Sequence, residues 1–110
     1  MKGKPLLPTL RIKKRYVVYE VVSEQAIDSR EAVKAIIESY AKCFGTFGLA
    51  EAGILDTRIY AGSRGMLKIN HRYVDNLRAA MAMIKTINTQ KVIIRTAAVS
   101  GILRKAKLKL

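Results

Sequence analysis

The C-terminal stretch, residues 92–110, most strongly constrains what this chain can fold into. Its β-branched run from Val92 to Val99 is typical of a β-strand, and Ser100-Gly101 then leads into a segment with four basic residues. No acidic residue follows Asp75, whereas eight lysines and arginines do. A strand followed by a segment in which every charged residue is basic predicts a protein that binds a polyanion.

The positive charge of the chain is concentrated at its two ends. Residues 1–19 contain six basic and no acidic residues, and residues 20–75 contain seven basic and eight acidic residues. The ends therefore carry +14 and the middle carries −1, which together give the formal net charge of +13. This distribution makes a nucleic acid the expected partner.

The length of 110 residues allows one domain with a single buried core. We expect that domain to span residues 1–110. Residues 1–11 are predicted to form an irregular basic arm, because Pro5 and Pro8 favour extended backbone before them. Residues 101–110 are predicted to form a basic C-terminal tail.

The chain has one cysteine, Cys43, and one histidine, His71, so it offers neither an internal disulfide nor a ligand set for zinc. We expect the chain itself to bind no cofactor and no metal. No apolar run reaches the length that crosses a membrane. The sequence therefore predicts a cytoplasmic protein without a membrane partner.

The first half of the chain predicts a central strand followed by an amphipathic helix. The segment from Tyr16 to Val22 is rich in β-branched and aromatic residues on both faces, which is typical of a strand inside a sheet. Asp28 suits the N-cap of a helix whose apolar residues recur every three or four positions. Gly45 is predicted to end that helix, and the segment up to Gly48 to form a C-cap and a turn.

The second half predicts a hairpin, a second helix and a last strand. Residues 54–60 and 66–69 alternate between apolar and polar side chains and are joined by a glycine-containing turn. Asn70 suits the cap of the second helix, and residues 92–99 are predicted to form the last strand.

The resulting order, β-α-β-β-α-β, predicts an α+β fold of the ferredoxin-like type, similar to an RNA recognition motif. This fold is a two-layer sandwich with a four-stranded antiparallel sheet and helices on one face. Right-handed crossovers place the first strand between the third and the fourth. Because these neighbours are antiparallel, the start of the first strand lies beside the end of the fourth, and the two basic ends of the chain form one patch.

We expect this patch to contact RNA phosphates. The loop after the first helix and the start of the second helix fall at the same edge of the sheet. Backbone N–H groups of that loop could bind an anion, although a turn without a ligand is the simpler account. The same geometry also places Lys109 there. The candidate RNA-binding residues are Arg11, Lys13, Lys14, Arg15, Gly45, Thr46, Gly48, His71, Arg72, Ser100, Arg104, Lys105 and Lys107.

Simpler interpretations of these residues stay open. A charged run is often only a solvated strand end, and the C-terminal tail could be disordered. Alternatively, Leu103, Ala106 and Leu110 have the spacing that would dock the tail as a helix. His71 lacks a second histidine or a carboxylate cluster, so we expect no catalytic residue in this chain.

The sheet face away from the helices is expected to bind a protein. Stacking of bases would need aromatic residues on the third strand, where Met66, Lys68 and Asn70 stand instead. We expect Tyr60, Met66 and Ile93 to contribute to a protein interface on this face.

Three segments of the chain are similar to segments of a known family. They are Pro8-Thr9-Leu10-Arg11-Ile12-Lys13-Lys14-Arg15-Tyr16, Phe44-Gly45-Thr46-Phe47-Gly48 and Val99-Ser100-Gly101. On these segments the chain resembles, nearly end to end, protein component 2 of archaeal ribonuclease P, a family shared with a small eukaryotic subunit of the same particle. It departs from the family pattern at Ile102, where a threonine is expected.

The resemblance implies an accessory subunit of an RNA-based endonuclease that removes the 5′ leader from precursor tRNA. It implies that the ribonuclease P RNA supplies the catalytic centre, with magnesium, and that this protein supports the active fold of that RNA. It also implies a TIM-barrel-like protein partner, with two copies of each protein in one assembly.

Other classes of function fit less of the sequence. A general RNA-binding protein of another ribonucleoprotein particle would explain the charge alone. An acylphosphatase on the same fold would need an arginine-bearing phosphate loop after the first strand, which residues 22–27 do not provide. A regulatory or oligomerisation module would leave the terminal charge without a function.

Overall fold

The computed structural model describes residues 13–110, so Arg11 and the predicted arm at 1–11 lie outside the described residues. Strands and helices are interspersed along the chain. They are β1 (Lys14–Ser23), α1 (Ser29–Ala52), β2 (Leu55–Ala61), β3 (Arg64–Asn70), a 3-10 turn (His71–Tyr73), α2 (Val74–Ala82), β4 (Thr86–Ile87), β5 (Gln90–Ser100) and α3 (Leu103–Lys107).

The sheet is antiparallel, with the strand order β2-β3-β1-β5-β4. The prediction that the first strand lies between the third and the last long strand is confirmed. The sheet has five strands rather than the predicted four, because the short strand β4 pairs with the start of β5. The hairpin between them turns at Asn88 and Thr89, whose φ angles of 52° and 65° are left-handed. Such a turn is commonly signalled by glycine, which this sequence lacks there.

Helix α1 begins where the sequence predicts and bends where the sequence predicts its end. The side chain of Asp28 accepts a hydrogen bond from the backbone N–H of Arg30 and caps the helix. Gly45 has a φ of 77° and a ψ of 174°, which interrupts the helical backbone. Residues 46–52 then form a second helical segment in place of the predicted turn, and Gly53 ends it in a left-handed conformation with φ 61°.

The main core lies between the sheet and helices α1 and α2. Alternate residues of β1, β3 and β5 point towards the helices, whose apolar residues meet them at helical spacing. Burial of these side chains away from water is the main favourable term for folding. Its fully or almost fully buried members include Val17, Tyr19, Ile36, Tyr40, Leu67, Ile69, Leu77 and Met81.

A smaller core lies on the opposite face of the sheet, beneath α3. Ala106 of this helix is fully buried against Val18 and Met66, and Leu110 packs beside them. The prediction that all helices cover one face is therefore wrong for α3. The predicted docking of the tail through Ala106 and Leu110 is confirmed, although Leu103 stays exposed. Within residues 13–110, no helix is both long and apolar enough to cross a membrane.

Candidate nucleic-acid interface

The start of β1 and the end of β5 lie side by side. Tyr16 pairs with Ser100 in the antiparallel register, so the chain leaves the sheet beside Arg15. The two are close enough that a methyl group at Gly101 would lie 3.2 Å from Nη1 of Arg15. The predicted proximity of the two basic ends is confirmed for the described residues.

Asn70 anchors the first lysine of β1. The ammonium group of Lys14 donates a hydrogen bond to Oδ1 of Asn70, and Nδ2 of Asn70 donates to the carbonyl of Glu51 at 2.6 Å. Asn70 is only 8% exposed, so both bonds are largely shielded from water. One amide therefore joins the start of β1, the end of α1 and the end of β3. The structure uses the Asn70 side chain for this junction, whereas the sequence predicted a helix cap; the side chain makes no cap hydrogen bond.

His71 and Arg72 continue from β3 at the same edge. The backbone N–H of His71 donates to the carbonyl of Lys13 at 2.8 Å, and its ring atom Nδ1 lies 3.2 Å from the same oxygen. Arg72 is exposed in the following 3-10 turn. The predicted position of His71 beside the start of β1 is confirmed, and Arg72 follows it directly in the chain.

Helix α3 starts at this edge and runs back over the sheet. Ile102 donates its backbone N–H to the Ser100 hydroxyl at 3.1 Å, which turns the chain into the helix. Arg104, Lys105 and Lys107 are exposed on the surface of α3. We use the name basic edge for these three residues together with Lys13, Lys14, Arg15, His71, Arg72 and Ser100.

Lys109 is not part of the basic edge, contrary to the prediction. Its carbonyl accepts a hydrogen bond of 2.5 Å from Nη1 of Arg64. Arg64 pairs with Glu20, six residues along β1 from Lys14 and therefore about 20 Å away. The docking of α3 along the sheet carries the end of the chain away from the edge at which the helix begins.

The charges of the basic edge are not neutralised by carboxylates. In residues 13–110 the ion pairs join Glu20 with Arg64 and Arg95, and Asp75 with Arg78. None of them includes a residue of the basic edge. Glu51 contributes only its backbone carbonyl there. The edge therefore presents a positive field to solvent, which suits phosphate groups.

The glycine-containing segment after Phe44 forms a bend within α1. Gly45 and Thr46 are exposed. A methyl group at Gly48 would lie 2.8 Å from Cβ of Phe44, so this glycine lets the second helical segment approach the first. No hydrogen bond described for residues 13–110 joins the segment to the basic edge. That RNA binds at this segment, through Gly45, Thr46 and Gly48, stays a prediction.

Two of the three residues predicted for a protein interface on the open sheet face are not accessible there. Met66 is fully buried beneath α3. Tyr60 packs against the main core on the helix side, because Asp56 and Tyr60 of β2 pair with the core-facing positions Leu67 and Gly65 of β3. The bulge between Asp56 and Tyr60, with Arg58 at a φ of 60°, leaves both residues on that face. Burial and a hydrogen bond to the Asp56 carboxylate raise the pKa of Tyr60 to about 12. Ile93 remains on the open face and is 64% exposed.

Glu20 is a charged residue to which the sequence pattern assigned no role. It lies on the open face between Arg64 of β3 and Arg95 of β5, its cross-strand partners in the register. The two guanidinium groups lower the pKa of its carboxyl below the usual value, Arg95 more strongly than Arg64. The signal was present, because Glu20 is the one charged residue between Tyr16 and Val22.

Comparison with known proteins agrees with this architecture. The sequence profile of the Rpp14/Pop5 family matches residues 15–110. "Ribonuclease P protein component 2" of Thermococcus kodakarensis is 36% identical over 109 residues, which are 98% of this chain and 91% of that protein. The protein of the same name from Archaeoglobus fulgidus is 30% identical over 99% of this chain and 96% of its own length.

A solved structure shares the fold. One chain in the cryo-EM structure of yeast ribonuclease MRP superimposes with a TM-score of 0.65, covering 89% of this chain and 86% of its own, at 12% sequence identity. The profile match spans most of the sequence, and relatives with at least 30% identity cover nearly all of it. The chain therefore belongs to the Rpp14/Pop5 family.

Proposed function

We propose that this chain is a protein subunit of ribonuclease P that binds the catalytic RNA through the basic edge. The observation that carries the proposal is the juxtaposition of Arg15 with Gly101, which joins the basic residues of both chain ends into one surface. Its relatives bear the name of a ribonuclease P component, and the surface has the charge that such a component needs to bind RNA.

The basic edge suits contact with the RNA backbone rather than with bases. Its charged residues are lysines and arginines with exposed or half-exposed side chains, and the one aromatic ring in the basic edge, that of His71, lies 3.2 Å from the carbonyl oxygen of Lys13. Cations of this kind neutralise phosphates and release counterions, which allows RNA segments to approach one another. The chemistry of leader removal then belongs to the RNA with magnesium, and the protein supports the RNA conformation that performs it.

The proposal includes two further partners. Precursor tRNA meets this chain in the assembled particle, and a TIM-barrel-like protein subunit pairs with it as two copies of each. Exposed apolar side chains on the open face support a protein contact there, since Val22 is 44% and Ile93 is 64% exposed on adjacent strands.

Reconstitution tests the function directly. The purified chain is added to ribonuclease P RNA, with and without the TIM-barrel-like partner, and cleavage of precursor tRNA is measured at limiting magnesium. Stimulation of cleavage in at least one condition is expected, because neutralised phosphates reduce the magnesium that the RNA needs. The absence of stimulation in both conditions would contradict the proposal.

The salt dependence of binding tests the mode of contact. If about six phosphates are neutralised, affinity for the RNA falls roughly a thousandfold between 50 and 200 mM salt. A flat response would contradict backbone contact. Equal affinity for an unrelated structured RNA of the same length would instead favour a general RNA-binding protein.

A further inference from the structure

A cluster of three charged side chains lies on the open sheet face, at the end of β1 opposite to the basic edge. Glu20 stands between Arg64 and Arg95 on the neighbouring strands. Its Oε2 lies 3.2 Å from Nε of Arg64, and its Oε1 lies 2.5 Å from Nη2 and 2.7 Å from Nε of Arg95. The Glu20 side chain is only 17% exposed, whereas those of Arg64 and Arg95 are 34% and 63% exposed.

Arg64 also reaches the end of the C-terminal helix. While its Nε faces Glu20, its Nη1 donates to the carbonyl of Lys109 at 2.5 Å. Lys109 lies two residues after the end of α3, so this hydrogen bond attaches the turn that follows the helix to β3. A helix as short as α3 is not stable on its own, so such contacts and the burial of Ala106 decide whether it stays docked.

Glu20 is the counterion that makes this docking electrostatically favourable. The strands contain two acidic residues, Glu20 and Asp56, and Asp56 lies towards the helix face with Tyr60. The face beneath α3 otherwise carries the cations of Arg64, Arg95 and Lys68, and α3 with the residues after it brings more. These added cations are Arg104, Lys105, Lys107 and Lys109. Without the carboxylate, like charges would meet across the contact.

We propose that Glu20 is a positioning residue for RNA binding. Through Arg64 it holds α3 on the sheet, and it thereby fixes the position of Arg104 and Lys105 in the basic edge. This inference rests on the proposed function, since it assigns to Glu20 the placement of RNA-contacting residues that it does not touch.

The direction in which one substitution changes RNA affinity distinguishes this role from a simple effect of net charge. Glu20→Gln raises the net charge of the chain from +13 to +14, so charge alone predicts tighter RNA binding. The positioning role predicts binding that is weaker by about threefold, the scale of a partly exposed ion pair. Glu24→Gln is the matched control, because Glu24 is exposed, belongs to no described ion pair and changes the charge equally.

A second variant leaves the net charge unchanged. Arg64→Lys keeps one positive charge but loses the planar fork that faces Glu20 and the Lys109 carbonyl together. We expect it to weaken RNA binding by about twofold to threefold. The proposal would be overturned by binding as tight as wild type in Arg64→Lys, or by binding in Glu20→Gln that is at least as tight as in the Glu24→Gln control.

The position of α3 is measured without RNA. Amide hydrogen exchange of residues 103–110 in the free protein, at about pH 6 where glutamates are charged, should accelerate in Glu20→Gln and Arg64→Lys but not in Glu24→Gln. Unchanged exchange would show that Glu20 and Arg64 do not hold α3 on the sheet. Faster exchange with unchanged RNA affinity would overturn the positioning role. Wild-type salt dependence tests the proposed function separately, so the two failures are distinguishable.

Discussion

The two ends of β1 orient cations in different ways. At the basic edge, Lys14 and Arg15 donate to neutral oxygens, the side-chain amide of Asn70 and a backbone carbonyl. At the other end, Arg64 and Arg95 share the carboxylate of Glu20. A neutral acceptor fixes a cation without cancelling its charge, whereas a carboxylate fixes and cancels it. Local partners, and not the number of basic residues, therefore decide which end of the strand keeps an uncancelled positive charge.

The strongest test of this contrast reverses charges at the basic edge. The triple variant Arg15→Glu, Arg104→Glu and Lys105→Glu should lower RNA affinity by at least about a hundredfold, because three phosphate contacts are lost and replaced by repulsion. Filter binding over a range of salt concentrations measures the affinity and should show a shallower salt slope.

The matched control for the triple variant reverses Arg30, Lys34 and Lys42, which are exposed on α1 and change the net charge equally. It should retain most of the affinity. An equal loss in both triple variants would show that total charge, rather than the basic edge, governs binding.

A glycine-to-alanine substitution near each end of β1 compares how tightly the two ends are packed. Gly65→Ala, opposite Tyr19 in the register, would place a methyl group 2.3 Å from the Tyr19 hydroxyl and should lower the free energy of unfolding by about 2 to 3 kcal/mol. Gly101→Ala meets only the flexible guanidinium of Arg15 and should cost less than about 0.5 kcal/mol. Urea unfolding measures both, and equal costs would contradict the distinction between a packed and an open end.

The junction at Asn70 is the structural part of the basic edge. Asn70→Ala leaves the carbonyl of Glu51 and the ammonium of Lys14 without their partner, and should lower the free energy of unfolding by about 2 kcal/mol. Asn70→Asp keeps an acceptor for Lys14 and loses only the donor to Glu51, so it should cost less. A larger cost for the aspartate variant in urea unfolding would show that the contact with the carbonyl of Glu51 outweighs the contact with Lys14.

The smallest effect is the pH dependence at the Glu20 end. The folded-state pKa of Glu20 lies below its ordinary value near 4.5, so at intermediate pH the unfolded chain binds the extra proton. The stability that the carboxylate contributes is complete above about pH 5 and is lost as pH falls through the folded pKa. The difference in unfolding free energy between wild type and Glu20→Gln should therefore disappear from about pH 7 to about pH 3. A constant difference would contradict the ion-pair account.

The sequence predicts those features that depend on local chemistry or on topology. Asp28 caps α1 because a carboxylate side chain accepts from the first free N–H groups, and this requires no tertiary information. The central place of β1 follows from its apolar residues on both faces. The meeting of Arg15 with Gly101 follows from antiparallel neighbours, which the order of elements already fixes.

The sequence pattern did not predict the features that depend on packing between elements. The alternation of β2 separates Ile59 from Tyr60, but it does not tell which of the two faces the helices, and in the structure this residue is Tyr60. Met66 occupies an outward position of β3 as expected, yet Ala106 buries it. Gly45 breaks the helix as expected, while the residues after it resume helical backbone because Gly48 permits close packing against Phe44.

The position of β1 in the sheet also determines when the protein can fold. Of the described strands, the ribosome makes β1 first and its partner β5 last. Tyr16 therefore cannot pair until Ser100, 84 residues later in the chain, has been made. Pairing over such separations is slow because the intervening loop must be closed first. Until then one edge of β1 exposes unpaired backbone groups and the side chains of Val17 and Val18, which favours aggregation. A ribosome stalled before β5 should therefore carry a chain that binds chaperones and is sensitive to protease.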